Sequence, residues 1–232
     1  MATILLPKMN EISALGGGYV NSKPNPMPTI KAVLKVAKSG SVGAQLIIIA
    51  GPPCVGKSLL GSLLVRKIPE SLVLDKDLTA GGFILQAASA NGQPSHNAYS
   101  SDYYWKHLRP IEYAGPMAVA CENLVNQRRV LLVGGWAPEL GVTTFCNDLE
   151  KLIEPSQLIV IYLNPPDTNE WQQRLKSRGS QSDSEYVNTL VRTMGNLPIW
   201  SKAIRLSSML PPNVLAQAGF NAIKELSCSQ ST

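Results

Sequence analysis

The stretch Leu46-Ile47-Ile48-Ile49-Ala50-Gly51-Pro52-Pro53-Cys54-Val55-Gly56-Lys57-Ser58 decides the fold of this 232-residue chain. Its last eight residues match G-x-x-x-x-G-K-[ST] in full. The apolar run before them suits a strand buried on both faces. A helical pattern from Lys57 to Ile68 follows, which is the context this motif requires. The glycines let the backbone turn tightly, so that successive N–H groups point at one place. The helix that starts there adds the positive end of its dipole. The loop Gly51 to Ser58 is therefore expected to cradle phosphate, with Lys57 reaching the terminal phosphates and the Ser58 hydroxyl holding Mg²⁺. Cys54 inside the loop reads as a small tolerated side chain, with a redox role as the alternative, because nothing in the sequence activates its thiol.

Outward from the loop, strands alternate with helices. The remaining strand candidates are Leu72–Leu74, Val130–Val133, Leu158–Leu163 and a weaker Ala203–Leu206. Between and after them lie helical stretches at Lys57–Ile68, Tyr103–Gln127, Leu149–Leu152, Thr168–Ser177 and Asn213–Leu226. Such alternation implies an α/β fold, a parallel sheet covered by helices on both faces. Ahead of the loop, Thr29 is positioned to cap a short helix with Ile30, Val33, Leu34 and Ala37 on one face and Lys31, Lys35 and Lys38 on the other. The chain divides into an N-terminal arm, residues 1–44, and a nucleotide-binding domain, residues 45–232.

Of the formal net charge of +5, residues 1–44 carry +4, through Lys8, Lys23, Lys31, Lys35 and Lys38 against Glu11. A basic arm can meet phosphates or anionic lipid, or simply aid solubility; it lacks the Arg and interleaved aromatics of a nucleic-acid surface. The remainder is nearly neutral, which favours a small substrate over a long polyanion. Cys54, Cys121, Cys146 and Cys228 show no zinc or CxxC spacing and read as reduced thiols of a cytoplasmic protein. No apolar run is long enough to span a bilayer, so no membrane partner is expected.

Phosphate binding alone leaves the reaction open. Asp75 and Asp77 lie just past the second strand, in Leu74-Asp75-Lys76-Asp77, and active sites of parallel sheets gather at strand carboxyl ends. A carboxylate there can take a hydroxyl proton or hold Mg²⁺ through water, Asp75 being the candidate for the metal. Solvated turn aspartates are the plain alternative. The third strand runs into Gly134-Gly135-Trp136 with no acidic residue, which argues against a GTPase or motor ATPase. Arg174 and Arg178 share one helical face in Trp171-Gln-Gln-Arg174-Leu-Lys-Ser-Arg178-Gly179, and guanidinium groups there can close over a transferring phosphoryl group. Between the second and third strands, the segment Ser101 to Tyr113 mixes aromatic and charged residues. Within it, His107 and Arg109 could meet an anionic acceptor and Tyr104 and Trp105 could stack on a ring, although core packing explains the aromatics equally well. His96 reads as a surface residue of a polar loop.

The loop, the Leu-Asp-Lys-Asp turn, Arg109-Pro110-Ile111-Glu112-Tyr113 and Arg174-Leu-Lys-Ser-Arg178-Gly179 together resemble the AAA-family ATPase-like P-loop kinases. That group includes polynucleotide 5′-kinases, chloramphenicol phosphotransferase and zeta toxins. The resemblance covers about residues 45–226. It implies a five-stranded parallel sheet in order 2-3-1-4-5 with a small lid after the fourth strand. It also implies an aspartate after the second strand as base, with Asp77 the first choice and Asp75 the second. Lid arginines correspond to Arg174 and Arg178. Adenine would lie between the lid and the loop Ser207–Leu210 after the fifth strand, with Met209 as a polarizable contact. Two departures stand out: Leu78-Thr79-Ala80 follows the aspartates where an Arg is common, and Ser180-Gln181-Ser182-Asp183 replaces the Arg-Asp pair common in the lid.

The reading that results is transfer of the γ-phosphate of ATP, with Mg²⁺, to a hydroxyl of a small molecule. The alternatives are a polynucleotide 5′-kinase or zeta toxin-like nucleotide-sugar kinase guided by the basic arm, and a nucleotide-binding regulator without turnover.

Overall fold

In the computed structural model, residues 23–94, 98–195 and 197–228 are described. The Gly16-Gly17-Gly18 leader and His96 lie outside them. The expected sheet is present. Strands β1 (Gln45–Ala50), β2 (Ser71–Asp75), β3 (Arg129–Val133), β4 (Gln157–Asn164) and β5 (Ile204–Ser207) are all parallel, in order β2-β3-β1-β4-β5. β1 is central and buried along its whole length. Its alternation divides the core. Leu46, Ile48 and Ala50 face one layer with Val130, Leu132, Leu158 and Val160, whereas Ile47 and Ile49 face the other with Leu131, Val133, Ile159 and Ile161. A strand covered on both sides has no solvent face, which is why its sequence is an unbroken apolar run. β5 is an edge strand with half-buried Ile204 and Leu206 between exposed Arg205 and Ser207, hence its weaker sequence signal.

The layer over Ile47 and Ile49 is made by α2 (Lys57–Leu64) and α9 (Pro212–Cys228), which bury Leu60, Leu64, Leu215, Ala216 and Ile223. The opposite layer contains α1 (Met27–Val36), α4 (Arg109–Val125), α6 (Phe145–Ile153), α7 (Thr168–Ser177) and α8 (Ser184–Met194). α1 joins this core through Ile30 and Val33, so the described part of the arm packs on the sheet domain. Its start differs from expectation. Pro26 occupies the cap position, the Met27 N–H donates to Asn25 Oδ1, and Thr29 lies within the helix, fully buried.

Three further differences bear on the site. β2 passes directly into α3 (Lys76–Ala90), so Asp75 and Asp77 sit on a strand end and a first helical turn, not in a free loop. The long helix expected from Tyr103 opens instead as a π turn, Tyr104–Leu108, closed by the Arg109 N–H on the Tyr104 carbonyl. Pro110 beside it has no N–H to offer the regular α ladder. The short α5 (Ala137–Leu140) and the lid helix α8 had no counterpart among the expected elements.

Candidate active site

The phosphate loop leaves β1 at Gly51, whose φ is +146°. A Cβ there would lie 2.7 Å from the Leu163 carbonyl oxygen on β4, so only glycine fits. Gly56, at φ +89°, turns the chain into α2. Between them Cys54 also holds a left-handed conformation, φ +60°, uncommon for a residue with a side chain. Val55 points away from the loop mouth into the core, at 1% exposure. Lys57 Nζ folds back and donates to the Pro52 carbonyl at 2.6 Å. Burial, then the nearby Arg178 charge, lowers the Lys57 pKa from 10.5 to about 8.

Ser58 Oγ donates to Asp75 Oδ2 at 2.6 Å, tying the first turn of α2 to the end of β2. The other Asp75 oxygen accepts the Asp77 N–H at 3.0 Å and caps α3. This contact crosses β3, which lies between β1 and β2 in the sheet. β3 permits it because it continues as Gly134-Gly135, without side chains above the sheet. Gly134 donates to the Ile49 carbonyl at 3.2 Å, and a Cβ on it would crowd Trp136, Tyr113 and Lys76. No acid directly follows β3, and the carboxylate beside Ser58 comes from the end of β2. Ser58 and Asp75 are hard oxygen donors side by side, which fits Mg²⁺, an ion that keeps several waters and takes few protein ligands. Among the described residues no cluster of three or more His, Cys, Asp or Glu side chains could cage a metal by itself.

Behind Asp77 runs a buried ionic chain. Lys76 Nζ meets Asp77 Oδ1 at 2.6 Å and Glu112 Oε1 at 3.1 Å, and the Tyr104 hydroxyl donates to Glu112 Oε2 at 2.6 Å. Burial opposes the charge on both Lys76 and Asp77, but their mutual attraction outweighs it. The ammonium is held well above the usual lysine range and the carboxyl below its own. Arg109 follows. Its guanidinium grips Glu139 with two bonds, at 2.9 and 2.8 Å, donates to the Gly135 carbonyl at 2.7 Å, and lies between the Trp105 and Tyr113 rings.

The lid is α7, capped by Asp167, with α8 behind it, capped by Asp183. Trp171 Nε1 donates to the Pro53 carbonyl at 2.8 Å, fastening the lid helix to the phosphate loop. Arg174 pairs with Glu170 at 2.7 Å, and Arg178 Nη1 reaches Cys54 Sγ at 3.7 Å. Loop, β2 end, Gly134-Gly135 and lid enclose one cleft of about 580 Å³.

Of the residues singled out from sequence, Gly51, Pro53, Cys54, Gly56, Lys57, Ser58, Asp75, Asp77, Tyr104, Arg109, Arg174 and Arg178 all line this cleft. Three expectations need correction. Arg109 lines it but is committed to Glu139, because a guanidinium at 2% exposure requires a carboxylate partner. His107 is exposed beside Tyr103, outside the cleft, since the π turn rotates it away from Tyr104. Met209 is half exposed on a tight turn held by Ser207 and is not part of the cleft lining. Tyr99, Lys76, Glu139 and Ser180 were not anticipated as site residues. For Lys76 alone was there a signal, its place between the two aspartates.

No protein-family model matches the chain, and no curated protein matches it in sequence. Solved structures do match. One is a gluconokinase from Sinorhizobium meliloti, with a TM-score of 0.52 at 15% identity over 83% of this chain and 100% of that one. Another is a sugar kinase from Janibacter, with a TM-score of 0.50 at 14% identity over 78% of this chain and 95% of that one. At these identities the likeness is one of fold. What is shared is the five-stranded parallel sheet covered by helices. No helix among the described residues is long and apolar enough to cross a membrane.

Two outcomes follow from the geometry. Below about pH 8 the Lys57 ammonium is charged; above it, phosphate must first restore a proton that the free protein has lost. ATP affinity is expected to fall above about pH 8, by up to tenfold per pH unit, with proton uptake on binding. Calorimetric titration at about pH 7 and pH 9 in buffers of different ionisation enthalpy checks this, and equal affinity without uptake would contradict it. Arg109→Ala strands the Glu139 carboxylate in the core and is expected to lower unfolding free energy by about 3–5 kcal/mol in urea. A variant of native stability that binds acceptor poorly would return Arg109 to the acceptor-binding role.

Proposed function

We propose that the chain is an ATP-dependent phosphotransferase with a small hydroxyl compound as acceptor. The observation that carries this is the meeting, in one cleft, of a complete phosphate loop, two carboxylates at the end of β2 and two lid arginines. In this reading the loop N–H groups and Lys57 hold the β- and γ-phosphates. Among the described residues Lys57 has the Pro52 carbonyl as its hydrogen-bond partner and no carboxylate, and it is available to them. Ser58 and Asp75 hold Mg²⁺, which offsets the charge on the phosphate oxygens. Asp75 is already engaged by Ser58 and by the helix cap, which suits it to the metal and not to the acceptor. Asp77 is the base, and Lys76 orients it through one oxygen. The acceptor oxygen bonds to the γ-phosphorus, the bond to the bridging oxygen breaks, ADP leaves, and the hydroxyl proton passes to Asp77. Arg178 and Arg174 stabilise the charge that spreads over the transferring group. Trp171 carries that support, because its bond to Pro53 positions the helix bearing both arginines.

The low Asp77 pKa fits a base whose main work is orientation, since phosphoryl transfer takes the proton late, through a loose transition state. Asp77→Asn is expected to bind ATP within about threefold of wild type and to lose about 10²–10⁴ in transfer rate. Incubation with γ-labelled ATP and a mixed metabolite extract reads this out. Label moving to an organic product with wild type but not with the variant supports the assignment. Tight ATP binding with neither transfer nor hydrolysis would make the chain a regulator.

A further inference from the structure

The cations of the cleft fall into two sets. At the phosphate end, Arg174 is paired with Glu170, but Lys57 and Arg178 have no carboxylate within ion-pair distance among the described residues. At the inner end, both cations are consumed. Lys76 lies between Asp77 and Glu112, and Arg109 is gripped by Glu139. Two positive charges there face three carboxylates. Glu112 and Glu139 lie behind the cleft lining, fully buried, so an anionic acceptor entering that end could gain a cation only by stripping a carboxylate of its partner.

The same end offers one uncommitted polar group. Among the cleft-lining side chains, the hydroxyls of Tyr99 and Ser180 are buried without a hydrogen-bond partner among the described residues. Ser180 follows the lid arginine Arg178. Tyr99, 3% exposed, stands edge-on to Tyr104 with the Lys76 ammonium 4.9 Å from its ring centroid. Burial pushes its phenol well above the usual tyrosine range, so it remains a donor. A buried unsatisfied hydroxyl calls for a ligand that completes it.

Building on the phosphotransferase reading, we infer that the acceptor is an uncharged hydroxyl compound, carrying neither carboxylate nor phosphate, and that Tyr99 is the specificity-determining residue that hydrogen-bonds it. The inner pocket selects by neutral polar contact. The free cations at the outer end serve the triphosphate.

The test divides a metabolite extract on strong anion and cation exchangers into neutral, anionic and cationic fractions, each incubated with enzyme and γ-labelled ATP. A labelled organic product is expected from the neutral fraction. Label confined to the anionic or cationic fraction would overturn the inference and leave the phosphotransferase reading standing. Label in no organic product, with ATP still bound, would overturn both. With the neutral fraction as acceptor, Tyr99→Phe is expected to raise the apparent KM about tenfold, to leave ATP affinity unchanged, and to unfold at the same or a higher temperature, because the lost hydroxyl has no partner among the described residues. An unchanged KM, or a lower unfolding temperature, would show that the Tyr99 hydroxyl has a structural role instead.

Discussion

The hydrogen bond from Ser58 Oγ to Asp75 Oδ2 joins the two halves of the site. It links the element after β1 with the element after β2, although β3 lies between them. The span is short because register brings Ile49, Val133 and Asp75 level across the three strands. It is unobstructed because β3 continues into Gly134 and Gly135. A side chain at Gly134 would crowd Trp136, Tyr113 and Lys76. The glycine after β3 and the acid at the end of β2 are therefore one arrangement.

From that junction the polar groups extend in two directions. Toward the lid, the Trp171 indole fastens α7 to Pro53, so the arginines ride on a helix whose position is set by the loop it covers. Toward α4, the chain Asp77–Lys76–Glu112–Tyr104–Arg109–Glu139 runs through the core with every charge in contact with one of opposite sign. Isolated charges at such depth would be prohibitive; a connected set also orders the side chains at the inner end of the cleft. Strong fixed pairing inside and free cations outside give the cleft a direction.

Much of this was legible in the sequence. The phosphate loop has a fixed spacing, and a strand buried on both faces can only read as an apolar run, so parallel sheet and loop follow from local pattern, whereas the strand order comes from the family resemblance. α3 was not read because it exposes Leu78 and Phe83 and contains Gly81-Gly82, which blurs the apolar stripe by which helices are recognised. α8 did carry a signal, with Asp183 at the cap and Tyr186, Val187, Leu190 and Met194 on one face. Arg109 could be placed near the acceptor from its segment, but its partner lies thirty positions later on α5, and no spacing rule connects them. Tyr99 offers no sequence pattern at all. Its interest arises only from burial without a hydrogen-bond partner among the described residues.

The central claim is that one cleft binds nucleotide, metal and acceptor in the order the polar groups dictate. The structure of the protein with Mg²⁺ and a non-hydrolysable ATP analogue tests it most directly. The account predicts the triphosphate within Gly51 to Ser58, the metal on Ser58 Oγ beside Asp75, and the γ-phosphate facing Asp77 with Arg178 drawn onto it. A triphosphate bound away from the loop, or a γ-phosphate pointing away from Asp77, would contradict it.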